Sequence, residues 1–260
     1  MAVPNRSAFI YGHTVTSSNE WIDFDEGGGE LSCTIQNGSW SLGEYVDKVA
    51  EALNGTGDNE YTVSLDRTSR KITISADASF DLLVSTGTHN SISAFALLGF
   101  STNQTGTDTY EAVNASGSLY EPQYRLQKYQ SFLNLKRTLD VKVNESSDGS
   151  NVEVVSTGTK QLMECQIKYA TNIVEVNGCR QSAIDANATG VEDLRTFLDY
   201  VTLKRPVEFL EDKTLTPFVK CILEKTSVSS NGVDYDLRNM YASGWDEYYD
   251  TGLLTFRQIS

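Results

Sequence analysis

The clearest pattern of apolar and polar positions lies in the first half of the chain and predicts a helix over 41–53. Ser41 and Glu44 stand in the spacing of a capping box, in which each side chain bonds the other residue's backbone N–H. Apolar residues then recur at helical spacing, namely Leu42, Tyr45, Val46, Val49 and Leu53. Asn54 and Gly55 both tolerate a positive φ, so we expect the helix to end there.

Segments with strand-like alternation surround this helix. They cover residues 30–35, 61–65, 71–75 and 80–84. Residues 66–70 predict a hairpin connection, and 93–98 predicts a short helix that Gly99 ends. The order β-α-β-β-β-α indicates a small sheet with one helix packed across its apolar face.

The second half is richer in strand patterns. Partial alternation predicts strands at 132–135, 139–143, 152–155, 162–168, 173–176, 207–210 and 218–223. Thr189 and Glu192 form a second capping box, followed by an apolar helical stripe of Val191, Leu194, Phe197, Leu198 and Val201. This half predicts a mostly antiparallel β domain with one packed helix, so the fold class is α+β.

Residues 101–120 are dominated by Ser, Thr, Asn, Gln and Gly, which is typical of an exposed connection. We therefore expect three parts. An N-terminal sheet-plus-helix interaction domain covers 1–105, a linker covers 106–120, and a β-rich domain covers 121–260.

Composition and charge exclude several classes of protein. With 39% hydrophobic and 22% charged residues among 260, the chain is expected to fold. A net charge of −14 disfavours binding to nucleic acid or to an anionic membrane surface. No apolar stretch is long enough for a membrane helix, and the N-terminus lacks the apolar core of a secretory signal. We expect no specific nucleic-acid binding and no membrane insertion.

Catalytic and cofactor motifs are missing from the sequence. The two histidines, His13 and His89, match no metal or nucleophile motif and are interpreted as ordinary surface or turn residues. We therefore predict a protein that is not an enzyme and has no cofactor and no metal. Paired carboxylates for glycoside cleavage stay open, because 35 acidic residues always allow a close pair.

Two acidic segments have a cation-binding alternative. Residues 185–190 match the start of an EF-hand loop, but its twelfth position is Thr196 where a bidentate Glu is needed. A helix-capping turn explains the same residues. The acids Asp23, Asp25, Glu26 and Glu30 are interpreted as an exposed loop, with divalent-cation binding as the alternative.

The four cysteines contain no C-x-x-C pair. They are Cys33, Cys165, Cys179 and Cys221, and we expect them to be reduced and mostly buried. A bridge between Cys165 and Cys179 across a hairpin is the alternative, and it requires an oxidising environment.

Two regions resemble proteins of tailed-bacteriophage virions. Residues 21–100 are similar to a virion-protein domain through the segments 41–46, 52–55, 61–65, 66–75 and 97–100. The second half resembles the tube-type sheet-and-helix domain of phage tail proteins, including the distal tail proteins that begin a baseplate. That likeness rests on the segments 194–198, 205–209 and 248–257.

The resemblance implies a structural subunit that works as one member of a ring. Tube-type sheets close their edges by pairing with neighbouring copies. Its partners would be copies of itself in a symmetric ring and other tail, baseplate or neck proteins. Its location would be the virion, assembled in the host cytoplasm.

Three aromatic residues are candidates for the contact with a neighbour. Trp245, Tyr248 and Tyr249 lie in an aromatic-rich segment, and such residues are enriched at interface hot spots. The alternative is that they complete the subunit's own core.

Two other functions remain open at this point. One is a neck, collar or capsid-associated virion protein. The other is a carbohydrate-binding module for host recognition, since the thirteen tyrosines and three tryptophans offer rings that stack on sugars.

Overall fold

A computed structural model gives the architecture of the chain. It describes residues 7–121, 132–145, 152–167, 191–192, 194–211, 218–229, 232, 234–235, 238–240 and 245–259. Within these residues there are three α-helices, one 3-10 turn and seventeen strands. None of these helices has the combined length and apolar character needed to cross a bilayer.

The bounds of the elements follow in chain order. The helices are α1 Leu42–Asn54, α2 Phe95–Leu98 and α3 Leu194–Thr202. The strands up to the middle of the chain are β1 Ala8–Tyr11, β2 His13–Val15, β3 Trp21–Asp25, β4 Glu30–Thr34, β5 Gly38–Trp40, β6 Tyr61–Asp66, β7 Lys71–Leu82, β8 Gln104–Glu111 and β9 Leu119–Tyr120. The remaining strands are β10 Phe132–Glu145, β11 Val152–Gln166, β12 Val191–Glu192, β13 Val207–Leu210, β14 Val219–Thr226, β15 Arg238–Met240, β16 Trp245–Asp250 and β17 Leu253–Gln258.

A large sheet organises the second half. Its eight strands run in the order β10-β11-β17-β14-β13-β1-β9-β12. Neighbours are antiparallel except β9 and β12, which pair in parallel. Helix α3 packs on this sheet, where Phe197 contacts the rings of Phe9 and Tyr120 at centroid distances of 4.7 and 4.5 Å. The predicted α+β class, with a mostly antiparallel β region and one packed helix, is confirmed.

A smaller sheet carries α1. Its strands run β4-β3-β7-β6, and β8 also pairs with β7. The predicted capping box at Ser41 and Glu44 is present, and all five residues of the predicted stripe are buried. One detail differs, since Gly55 ends the helix at φ −79° in the right-handed region. Gly99, by contrast, ends α2 in the left-handed conformation that only glycine adopts freely.

Several predicted strands are longer than their sequence patterns. The segment 71–75 and residues 80–82 of the segment 80–84 both belong to β7, which continues to Leu82 through an exposed polar stretch and pairs irregularly with β8. In the same way, the four segments predicted between 132 and 168 fuse into the two long strands β10 and β11. In β7 the alternation of buried side chains stops at the exposed stretch 77–79, although the backbone stays extended.

The domain bounds differ from those predicted. The small sheet and the helix α1 that it carries are called the small unit. Strand β1 precedes this unit in the chain, yet it lies inside the large sheet between β13 and β9. Residues 106–111 of the expected linker belong to β8 of the small sheet. That strand looks like a linker because most of its side chains are exposed, while its backbone pairs with β7. The small unit is therefore inserted between two adjacent strands of the large sheet.

The start of the second predicted helix is also different. Val191 and Glu192 form β12 beside β9, so the capping box predicted at Thr189 and Glu192 does not begin the helix. Helix α3 begins at Leu194, and its stripe of Leu194, Phe197, Leu198 and Val201 is buried as expected. The predicted strand 173–176 and the loop 185–190 lie outside the described residues.

Candidate functional site

The outer edge of the large sheet is a long strand. Strand β10 pairs along its length with β11 from Phe132↔Gln166 to Glu145↔Val152. Strand β17 pairs with β11 only over residues 162–166. Within the described part of the chain, the rest of β11 pairs with β10 alone. The two strands therefore form a ribbon that continues past the sheet, and an isolated ribbon of this kind has little stability by itself.

The predicted interface residues lie on a separate strand pair. Trp245, Tyr248 and Tyr249 belong to β16, which pairs with β15 in the register Met240↔Trp245 and Asn239↔Tyr249. Their side chains lie outside the described part of the structure. The choice between an interface and the subunit's own core therefore stays a prediction.

A cavity of about 520 Å³ lies where the small unit meets the large sheet. The start of α1 and the end of β6 line one side, and β13, β14 and the C-terminal end of the chain line the other. Close to it, Ile10, Leu42 and Leu210 form a small buried apolar cluster between the two units. The junction is thus a packed contact with a polar cleft at its border.

A buried carboxylate holds this junction together. The Glu208 side chain on β13 is 1% exposed, and its Oε1 accepts a hydrogen bond of 2.7 Å from the backbone N–H of Gly43. Its Oε2 accepts one of 2.8 Å from Nε of Arg67. The N-terminus of a helix favours a negative charge, so Glu208 fills the anion site at the start of α1.

Further charged contacts cross the same cleft. Nζ of Lys220 donates to Glu44 at 2.6 Å. Partial burial acts to raise the pKa of Glu44, but hydrogen bonds from Lys220 and Ser41 outweigh it and the net shift is downward. The Arg67 guanidinium lies 3.9 Å from the centre of the Phe218 ring, which is partly exposed. Two ion pairs, Arg67–Glu208 and Lys220–Glu44, thus link the two sides of this cleft.

The expectation of a surface or turn histidine is wrong for His13. It lies on β2, it is buried, and its Nε2 lies 2.8 Å from Oγ of Ser116. Because Ser116 donates its proton to the carbonyl of Leu97, it accepts from His13. Desolvation lowers the pKa of His13 from 6.5 to about 4, against a smaller opposite effect of the Leu97 carbonyl. Ser116 is equally buried, so the pair is a structural contact and no nucleophile is offered to solvent.

Acid is expected to destabilise the protein through His13. The folded state keeps this imidazole neutral, so its contribution is fully present above pH 6.5, the value of the unfolded chain, and is lost as pH falls toward 4. The loss should reach about 3 kcal/mol. Urea unfolding of the wild type and His13→Gln between pH 7 and 4 measures it, because the variant lacks this titration. An equal acid loss in both proteins would contradict the assignment.

His89 is in a turn, as expected, but it is not an ordinary turn histidine. It precedes the 3-10 turn Asn90–Ile92, and its Nδ1 lies 2.9 Å from Oδ1 of Asp23 on β3. Its backbone N–H donates 2.6 Å to the other oxygen of Asp23. The ring of Trp21 stacks on the imidazole at 3.8 Å and 8°. Sequence alone offered one hint, an acid between the apolar residues Ile22 and Phe24.

The four acids of the expected loop separate in the structure. Asp25 accepts hydrogen bonds from the backbone of Gly27 and Gly29. Glu26 accepts from the backbone of residues 58 and 59 and from the Tyr61 hydroxyl. Asp23 is fully buried, and Glu30 is exposed. Asp25 therefore serves its own turn and Glu26 the segment before β6, while Asp23 and Glu30 lie beside His89.

The cysteines that the structure describes are free and buried. They are Cys33, Cys165 and Cys221. Desolvation raises the pKa of Cys33 and Cys165 to about 12 and that of Cys221 beyond this range. Their thiols are protonated and unreactive at neutral pH. Cys179 lies outside the described residues.

The aromatic rings that the structure describes are mainly core residues. Tyr45, Tyr61, Tyr110 and Tyr120 are buried, as are eight phenylalanines in the two main cores: Phe9, Phe24, Phe80, Phe95, Phe100, Phe197, Phe209 and Phe256. These rings cannot serve as exposed platforms for sugars. No family model matches this sequence, and no curated protein matches it at a significant level.

Proposed function

We propose that the protein is a structural subunit of a bacteriophage virion, belonging to the tail or baseplate, that assembles with copies of itself into a ring. The observation that carries this proposal is strand β10, which among the described residues is a fourteen-residue edge strand in a ribbon that continues past its own sheet. A long strand with a free edge invites pairing with another chain, and soluble proteins usually blunt or cover such edges. Pairing with a sister copy would complete the hydrogen bonds of β10.

The rigid junction supports the same role. A subunit in a ring must hold its parts at fixed angles, because small errors in each copy prevent closure. The buried contact of Glu208 with Gly43 and Arg67, together with the apolar cluster at Leu42, fastens the small unit to the large sheet. The small unit would then face neighbouring virion proteins at a defined position on the ring.

The net charge fits a tail component. A charge of −14 on each copy would make a ring lumen repel DNA, so DNA could pass without adhering. In its broader form, the proposal also covers a position at the neck, the collar or the capsid surface of the virion. The carbohydrate-binding alternative gains no support from the described aromatic residues, because most of them lie in the cores.

The proposal predicts concentration-dependent rings that depend on the β10 edge. In an edge strand, successive N–H groups point alternately toward the neighbour and outward. Of the variants Lys142→Pro and Val143→Pro, one therefore removes a bond to β11 and the other an outward donor. We expect the variant that loses the outward donor to keep its circular dichroism spectrum. The association constant of its assembly should fall at least about tenfold. Light scattering after size exclusion measures assembly.

Each proline variant serves as the control for the other, since only the position of the proline differs. Electron microscopy of the wild-type assembly would show whether it closes. A wild type that stays monomeric up to its solubility limit would contradict the proposal. The proposal would also be contradicted if both proline variants formed rings as readily as the wild type.

A further inference from the structure

Three potential metal ligands converge at one end of the small sheet. Asp23 comes from β3, Glu30 from the start of β4, and His89 from the segment that follows β7. One ligand atom of each lies within 4.8 Å of the others. This set is distinct from the junction and from the β10 edge, and the proposed function does not use it.

The types of ligand suit a divalent transition metal. One imidazole nitrogen and two carboxylate oxygens form a mixed set that Zn²⁺ accepts, and hard cations such as Mg²⁺ and Ca²⁺ prefer oxygen alone. Asp23 Oδ1 and His89 Nδ1 are 2.9 Å apart, close to the separation of two ligands on one small ion. Three protein ligands would leave a fourth position for water.

The side chains are already oriented by their surroundings. Oγ of Ser32 donates to Asp23 Oδ1 at 2.8 Å, and the backbone N–H of Thr88 donates to Glu30 at 2.7 Å. The Trp21 ring fixes the plane of the His89 imidazole. Metal ligands in proteins are commonly held by such outer contacts, which reduce the cost of ordering them on binding.

The balance of charge at Asp23, whose carboxylate contacts only neutral donors in these bonds, is compatible with a cation. Its side chain is 1% exposed, and a buried carboxylate is normally paired with a cation or bound to a metal. In the described part of the chain, the ion pair found for Asp23 is with His89, whose imidazole has no permanent charge. Glu30 adds a second carboxylate to the same cluster. A divalent ion would offset both charges.

The geometry points to a Zn²⁺-type site formed by Asp23, Glu30 and Nδ1 of His89. In the metal-free protein, Nδ1–H donates to Asp23. On binding, the metal takes the place of that proton, and the imidazole carries its proton on Nε2 instead. The ion would fasten the segment 83–94 to β3, where Leu83 and Ala94 already bond the backbone of the strand. The site therefore has a stabilising role.

Calorimetric titration of the full chain with ZnCl₂, after treatment with a chelator, tests this site. We expect one ion per chain, and His89→Ala should weaken binding by about 100-fold or more. Ser32→Ala, which loses only an outer contact, should weaken it by about tenfold. Glu51→Gln on the exposed face of α1 also removes a carboxylate, and it should leave affinity within about twofold.

Two further measurements identify the ligands. Nitrogen NMR should show His89 changing from the Nδ1–H to the Nε2–H tautomer when Zn²⁺ is added, which a merely structural histidine would not do. Co²⁺ spectra should lack the thiolate absorption that a cysteine ligand would give. Thermal unfolding with chelator present verifies that His89→Ala still folds.

Several outcomes would overturn the site. These are no saturable binding, undiminished binding by a folded His89→Ala, a thiolate band with Co²⁺, or equal affinity for Ca²⁺. None of them bears on ring assembly, which is measured separately through β10.

Discussion

Replacing Gly12 by alanine is expected to destabilise the protein by at least about 4 kcal/mol, enough to unfold a domain of ordinary stability. Gly12 lies between β1 and β2, where the chain leaves the large sheet for the small unit. A Cβ at this position would lie 1.7 Å from the carbonyl oxygen of Trp40 and 2.7 Å from Cα of Ser41. Both are backbone atoms, so no side-chain rotation can relieve the overlap.

Gly28→Ala is the matched control for this change. No atom lies within 4 Å of a Cβ built at Gly28, so that variant should remain within about 1 kcal/mol of the wild type. Urea unfolding followed by tryptophan fluorescence compares the two. A Gly12→Ala protein as stable as Gly28→Ala would show that the backbones of residues 12 and 40 do not approach as described.

Glu208→Ala is expected to cost about 3 kcal/mol and to loosen the two units from each other. The change removes a buried carboxylate and leaves the Gly43 N–H and the Arg67 guanidinium without it. Arg67 is partly exposed, so solvent limits the penalty. In calorimetry, we expect a single unfolding transition for the wild type and a broader or split transition for the variant. Glu208→Gln should cost less, because its amide oxygen still accepts from Gly43.

Glu224→Ala provides the control for this prediction. Glu224 is on the neighbouring strand β14 and also pairs with an arginine, Arg257, but both side chains are partly exposed, at 30% and 40%. Such a pair contributes less than about 1 kcal/mol. If Glu208→Ala cost no more than Glu224→Ala, the carboxylate of Glu208 would not hold the junction.

Local patterns predicted the parts of the fold that depend on neighbours in sequence. The capping box and the helical stripe of α1 involve contacts between residues three or four apart, and both were found where predicted. The stop at Gly99 is equally local, since it depends on one residue's freedom to adopt a positive φ. In α3 the stripe was right, while its start was wrong because β9 pairs with Val191 and Glu192.

The elements that the sequence patterns did not predict depend on partners that lie far away in the chain. Strand β8 has a polar sequence, and only pairing with β7 makes it a strand. Residues 8–11 pair with β13, which comes almost two hundred residues later. Glu208 also fits an exposed position of an alternating strand, yet packing against α1 buries it.

The candidate sites follow the same division. Sequence placed Asp23 in an exposed loop, Glu30 at the start of a strand and His89 in a turn, but it could not show that the loop after β7 folds back onto β3. It likewise indicated open-edged β structure without showing that β10 is the edge.

The sequence by itself determined the α+β class, the helix α1 with its cap, and the absence of recognisable catalytic motifs. Only the tertiary structure decided the order of the strands, the insertion of the small unit between β1 and β9, and the burial of His13, Asp23 and Glu208. The physical reason is the range of the interactions. Helix signals repeat within a few residues, whereas strand pairing and the burial of charge depend on which distant segments the folded chain brings together.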